Sequence, residues 1–229
     1  MKAVIVTFPG SNCDQDCFWA LKDRAGFDVK YQWHRDAVLE KTDLVVLPGG
    51  FSYGDYLRTG ALARFSPLMK EVVRFAQKGG AVLGICNGFQ ILLESGLLPG
   101  AMLKNTSLRF ICRNIYIKAQ RYDSFFTSAI SQKKALDIPI AHYEGNYYAD
   151  SQTLKKIEDN GQVLFRYTDA GGNATPEANP NGSVNNIAGI CNEEGNILGM
   201  MPHPERAVDS YLQSCDGLSI FQSLKQSLG

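Results

Sequence analysis

The first hundred residues switch repeatedly between two hydrophobic periods, and that alternation restricts the fold more than any other feature of the chain. Residues 2–8 are apolar and β-branched, the composition of a strand buried on both faces. Residues 28–33 alternate, and residues 43–47 and 81–85 are short apolar runs of strand length. Helical patterns separate them. One follows the turn Pro9-Gly10-Ser11-Asn12, with Asn12 and Gln15 spaced as a capping box, and closes at Gly26. A second opens at Ser66-Pro67 and carries Met69, Val72, Val73 and Ala76 on one face. A third begins after residue 86, with Phe89, Leu92, Leu93 and Leu97 in register. Strands that alternate with helices over short links pair in parallel, with helices on both faces. The expected class is therefore α/β, a doubly wound, mostly parallel central sheet plus a small antiparallel sheet. Such sheets bind ligands beyond the carboxyl ends of their strands. The loop after residue 47 and the turn after residue 85 share that edge.

The remainder is less regular. Residues 106–119 read as one or two strands, 137–143 and 162–167 as strands, and 152–159 as a short polar helix. Residues 169–186, rich in Gly, Asn and Pro, form a long loop. Residues 187–191 and 197–201 form a hairpin leading into Pro202-His203-Pro204-Glu205-Arg206. A final helix shows Leu218, Phe221, Leu224 and Leu228 on one face. No stretch has linker composition, so residues 1–229 are expected to form a single domain.

Composition removes several function classes. Acidic and basic residues balance at 23 each without a charge run, which argues against nucleic acid and membrane-surface partners. No apolar run reaches membrane-spanning length, and the apolar N-terminus is too short for a signal peptide. The six cysteines are scattered and include no C-x-x-C, so neither disulfides nor a metal site is expected, and the thiols suit a reducing cytoplasm. Neither G-x-x-x-x-G-K-[ST] nor G-x-G-x-x-G occurs, so no nucleotide or other cofactor is expected in this chain.

The chemistry points to Cys86. In Gly84-Ile85-Cys86-Asn87-Gly88 it sits where a buried strand turns sharply into a helix. That is the arrangement of a nucleophile elbow, with sulfur in place of the serine oxygen. The helix start presents unpaired N–H groups that favour a thiolate. A buried structural cysteine at a tight turn is the bland alternative, so partners must decide. A nucleophilic thiol needs a base and a group to orient it. Of His34, His142 and His203, the last lies between two prolines at a strand end, where Pro204 favours extended backbone. Residues two apart in an extended segment project to one side, which sets Glu205 beside His203. Gly49 and Gly50, with the N–H of Asn87, could hold a developing oxyanion. His142 reads as a substrate or partner contact, and His34 as a solvated loop residue.

In chain order, Gly49-Gly50, the Cys86 elbow and His203-Pro204-Glu205 resemble the class I (triad) glutamine amidotransferases, over the whole chain. Finer strings resemble one branch of that family, the glutaminase subunits of phosphoribosylformylglycinamidine synthase. They are Ser11-Asn12-Cys13-Asp14, the run 48–58 containing Gly50-Phe51-Ser52-Tyr53-Gly54-Asp55, Cys86-Asn87-Gly88-Phe89-Gln90, Ala141-His142-x-Glu144-Gly145 (with Tyr143 where the pattern has a small residue), Asn179-Pro180-Asn181-Gly182-Ser183 and Met201-Pro202-His203-Pro204-Glu205-Arg206. The resemblance implies a flavodoxin-like fold and hydrolysis of glutamine through a thioester on Cys86, with His203 as base and Glu205 as its orienter. It implies oxyanion or substrate contacts for Gly49, Gly50, Asn87 and Gln90, and substrate or partner contacts for His142 and Glu144. It further implies a large synthase subunit that uses ATP and Mg, and a small bridging subunit. Two alternatives stand beside it. One is a glutaminase subunit of another synthase; the other is a flavodoxin-like stress protein with a redox-sensing elbow cysteine, which has no need of His203 or Glu205.

Overall fold

The computed structural model describes residues 1–55 and 58–229; Tyr56 and Leu57, within the 48–58 motif, lie outside the described residues. The elements in order are β1 (Lys2–Thr7), α1 (Asp14–Trp19), β2 (Asp28–Trp33), β3 (Leu44–Leu47), α2 (Pro67–Gln77), β4 (Ala81–Ile85), α3 (Asn87–Glu94), β5 (Ala101–Leu103), β6 (Ile111–Ala119), β7 (Leu136–His142), β8 (Asn146–Tyr148), α4 (Ser151–Asp159), β9 (Val163–Thr168), β10 (Ile187–Cys191), β11 (Ile197–Met200) and α5 (Leu218–Leu228). α1 continues as a π-helical turn over Ala20–Arg24, ahead of Gly26 at φ +72°.

A nine-stranded sheet in the order β2-β1-β3-β4-β11-β10-β9-β6-β7 forms the centre. β2, β1, β3, β4 and β11 run parallel, and β10, β9, β6 and β7 add antiparallel pairings on the β11 side. The small separate antiparallel sheet is β5 with β8. Strands of three residues carry too little periodicity to be located from sequence. β3 and β4 are buried at every position, as helix-covered central strands must be.

One insertion in this order matters for function. β11 lies directly against β4, with Met200 opposite Ile85, although more than a hundred residues separate them. Cys86 N–H donates to Met200 O at 2.8 Å. The chain leaving β11 therefore reaches the Cys86 turn within three residues, at His203.

One expected cap does not form, and Ser66 takes the cap position of α2 without a side-chain capping bond. Asn12 is not the cap of α1; Cys13 occupies that position without a side-chain cap bond, and its Sγ donates to Asn12 Oδ1 at 3.2 Å. Ser66 precedes α2, but its hydroxyl bonds the Ala63 carbonyl instead. Among the described residues no helix is long and apolar enough to cross a membrane.

Candidate active site

Cys86 has φ +49° and ψ −103°, a conformation that costs a side-chain-bearing residue on the order of 1–3 kcal/mol and persists only where its surroundings impose it. The flanking glycines are part of that constraint. A Cβ on Gly84 would lie 2.7 Å from Gly88 O and 2.5 Å from a methyl of Leu92. A Cβ on Gly88 would run into the carbonyl of Leu47 on β3. The glycines thus let β4, its neighbour strand and α3 approach closely enough to force the turn. Gly88→Ala is expected to lower unfolding free energy by about 3 kcal/mol, because backbone must move on both sides of the contact. Gly96→Ala makes the control: φ is +69° but nothing lies within 4 Å of the added methyl, so about 1 kcal/mol is expected. Equal urea midpoints for the two variants would contradict a packing role for Gly88.

His203 Nδ1 donates to Glu205 Oε1 at 2.7 Å, and both residues are buried. An extended segment would also set these side chains together, as expected from sequence. The structure brings them together differently: Pro204–Arg206 is one 3-10 turn, closed by Arg206 N–H on His203 O at 3.1 Å, and it folds Glu205 back under the ring. Burial by itself lowers the pKa of His203. The Glu205 carboxylate and the Cys86 and Cys13 sulfurs outweigh it, holding the pKa well above the usual histidine value. The other ring nitrogen, Nε2, is buried and has no hydrogen-bond partner among the described residues. Cys86 and His203 border one cavity of about 130 Å³, shared with Cys13, Phe51, Phe110 and Arg206.

Gly49 and Gly50 have structural reasons beyond open N–H groups. A Cβ on Gly49 would lie 2.8 Å from His203 Cε1 and 2.9 Å from Cys13 Sγ, so this glycine lets the imidazole lie against β3's end. Gly50 has φ +148°, and a Cβ there would meet the backbone of Gly10, Ser11 and Asn12. Asn87 and Gln90 are tied into the walls. Asn87 Oδ1 accepts from Ser52 N at 3.2 Å, Asn87 Nδ2 donates to Gln90 Oε1 at 3.0 Å, and Gln90 Nε2 donates to Glu144 O at 2.7 Å.

Gln90 and Glu144 line a larger cavity of about 510 Å³ that opens on Cys86 and is also bordered by Gly50, Asp55, Thr59 and Lys104. Thr59 Oγ1 donates to Glu144 Oε2 at 2.5 Å. Burial, reinforced by the Glu144 charge, pushes the Asp55 carboxyl up to about 6. Sequence reasoning missed Asp55, Thr59 and Lys104 as site residues; of the three, only Asp55 lies in a motif that stands out. Ala141 O, 3.8 Å from Cys86 Sγ, leaves no sequence signal at all, because a backbone carbonyl has none.

His142 sits beneath this cavity's wall. Its Nδ1 donates to Asn105 Oδ1 at 3.1 Å, its Nε2 faces Asn181 Nδ2 at 3.5 Å, and Gly145 packs flat on the ring. Burial, then the nearby His203 charge, lowers its pKa to about 3 from 6.5. The native ring therefore stays neutral while the unfolded chain takes up a proton below pH 6.5. Stability is full above that pH and is lost as pH falls toward 3, by about 5 kcal/mol in total. His142→Gln is expected to flatten the acid limb of unfolding free energy by about 1.4 kcal/mol per pH unit between pH 6 and 4. An unchanged slope in urea titrations would show that His142 is protonated in the native state. His34, expected in solvent, is instead buried, with Nδ1 2.9 Å from the Tyr53 hydroxyl.

Comparison with known proteins follows the same lines. Residues 1–223 match the family described as CobB/CobQ-like glutamine amidotransferase domain. A chain of PurLQS from Thermotoga maritima is 41% identical, with 100% of this chain and 99% of that one covered, at a TM-score of 0.88. A putative GMP synthase subunit from Thermoplasma acidophilum shares the fold at 15% identity and TM-score 0.65, over 100% of this chain and 94% of that one. A glutamine amidotransferase from Thermotoga maritima does so at 14% identity and TM-score 0.60, over 100% and 97%.

Proposed function

The chain belongs to the CobB/CobQ-like glutamine amidotransferase domain family, and on that premise we propose that it is the glutaminase subunit of a phosphoribosylformylglycinamidine synthase, with Cys86, His203 and Glu205 as its catalytic residues. The observation that carries the catalytic assignment is the buried His203–Glu205 contact, with His203 and Cys86 bordering one cavity. A redox-sensing cysteine alone gives no reason to bury such a pair. The narrower reading is supported by the full-length identity of 41% to a chain of PurLQS and by the Gly50–Asp55 motif.

In this reading glutamine enters the larger cavity with its side-chain carboxamide toward Cys86. Asp55 and Glu144 meet its α-ammonium group and Lys104 its α-carboxylate, which gives a zwitterion opposite charges at both ends. The Cys86 thiolate attacks the carboxamide carbon while His203 holds the proton. N–H groups near Gly50 and Asn87 take the developing oxyanion, which they stabilise more in the transition state than the planar amide. His203 passes its proton to the departing nitrogen, so ammonia leaves and a glutamyl thioester stays on Cys86. Water, deprotonated by the now neutral His203, then releases glutamate. Glu205 keeps the ring oriented and stabilises its charged form throughout. The ammonia is consumed on a large synthase subunit that binds ATP and Mg, with a small subunit bridging the two.

Reconstitution tests this proposal. Mixed with the large and small synthase subunits, the chain is expected to support glutamine-dependent conversion of formylglycinamide ribonucleotide to its amidine. Glutamine hydrolysis stimulated only by a different synthase would assign it to another pathway.

A further inference from the structure

The His203–Glu205 pair has a third neighbour that glutamine hydrolysis does not use. Cys13, on the loop after β1, places its Sγ so that it, a His203 ring nitrogen and a Glu205 carboxylate oxygen all lie within 4.8 Å of one another. All three residues are buried. His203 Nε2 and Glu205 Oε2 are also enclosed without a hydrogen-bond partner, so donor capacity inside the cluster is unspent. Thiol, imidazole and carboxylate are the three ligand types of protein zinc sites, and three protein ligands leave a fourth position for water. Bonds of about 2.3 Å to sulfur and 2.0 Å to nitrogen or oxygen require donors roughly 3.3–3.5 Å apart in a tetrahedron. The three donor atoms, within 4.8 Å of one another, would draw closer on binding.

Charge also balances. A Cys13 thiolate and the Glu205 carboxylate together neutralise a dication. The adjacent Arg206, whose Nη2 is 3.2 Å from Cys13 Sγ, is already paired with Asp16 at 2.9 Å. A neutral cluster avoids the large cost of an unpaired buried charge. The cavity of about 130 Å³ that Cys13 and His203 share gives an ion a way in.

We propose that Cys13, His203 and Glu205 form a binding site for a thiophilic divalent cation, typified by Zn²⁺, and that occupancy shuts off hydrolysis at Cys86. Binding forms metal–sulfur, metal–nitrogen and metal–oxygen bonds. The Cys13 thiol and the His203 imidazolium each release one proton to solvent, and no oxidation or reduction occurs. With a ring nitrogen held by the metal, His203 no longer carries a proton between Cys86 and the leaving nitrogen. The inhibition rests on the glutaminase reading; the binding does not.

The test uses the full chain carrying Cys112→Ser and Cys215→Ser, which removes the exposed thiols that would bind metal nonspecifically. Cd²⁺ titration should give sulfur-to-metal charge-transfer absorbance at one ion per chain, and chelator competition should yield a Zn²⁺ affinity. Adding Cys13→Ala should abolish the absorbance and weaken Zn²⁺ binding at least about tenfold, whereas adding Cys86→Ala should leave both in place. Cys13→Ser, which keeps a polar atom toward Asn12 and Arg206, guards against loss of folding in the alanine variant and should behave alike. Undiminished binding in the Cys13 variants, or its loss in Cys86→Ala, overturns the site. Turnover by the parent chain that is indifferent to saturating Zn²⁺ overturns the inhibition. Because the absorbance does not depend on turnover, failure of this site and failure of the glutaminase reading are told apart.

Discussion

Replacing Cys86 with alanine is expected to reduce glutamine hydrolysis by at least about 10⁴-fold, while ammonia-dependent synthesis by the assembled complex continues. The sulfur is the only protein atom in the proposed sequence that bonds to substrate carbon, so no other side chain in the cavity replaces it. The substitution leaves Gly84, Gly88 and the contacts around them in place, and alanine fills less space than cysteine, so the fold should survive. Cys86→Ser is the harder test. It preserves the shape of the turn but replaces sulfur with a less nucleophilic oxygen, and it should be nearly as inactive. Hydrolysis at the normal rate in either variant, measured as glutamate release, would reject the enzyme assignment of Cys86.

The second large effect is expected at Glu205. Glu205→Gln should slow hydrolysis by about 10³-fold, because the buried imidazolium loses the carboxylate that orients and stabilises it. Two further readouts separate this from simple loss of structure. The carboxylate is the leading contribution that raises the His203 pKa, so its removal should move the alkaline limb of kcat to lower pH. The sign for stability follows from the same shift. A folded-state pKa above the unfolded value means that the pair stabilises the protein fully below the ordinary histidine pKa. That contribution is lost as pH rises through the higher folded value. Wild-type stability should therefore fall on the alkaline side, and the variant should lack that step. An alkaline limb at the same pH in both proteins would dissociate Glu205 from His203.

Much of the architecture was readable because it is local. Apolar runs and helical stripes in residues 1–98 located β1 to β4 and α1 to α3, and the hairpin β10–β11 was marked by its turn at Glu193–Asn196. Local signals failed where partners are distant. The cap expected at Asn12 moved to Cys13, and Ser66 keeps the cap position of α2 while its hydroxyl bonds the Ala63 carbonyl. Asn105 and Asn181, far from residue 142 in sequence, are interior braces for His142.

By itself the amino-acid order determined that Cys86 stands on a strand-to-helix turn between glycines and that His203 and Glu205 lie two residues apart, because both facts depend only on neighbours along the chain. Only the tertiary structure decided that Cys86 and His203 border one cavity. β11 inserts beside β4 in parallel register, and no periodicity encodes that choice of neighbour, which comes from how the whole sheet buries its apolar faces. The same packing brought Cys13 against the imidazole and drove His142 to neutrality, since burial and the charges of residues far away in sequence exist only once the chain has closed around them.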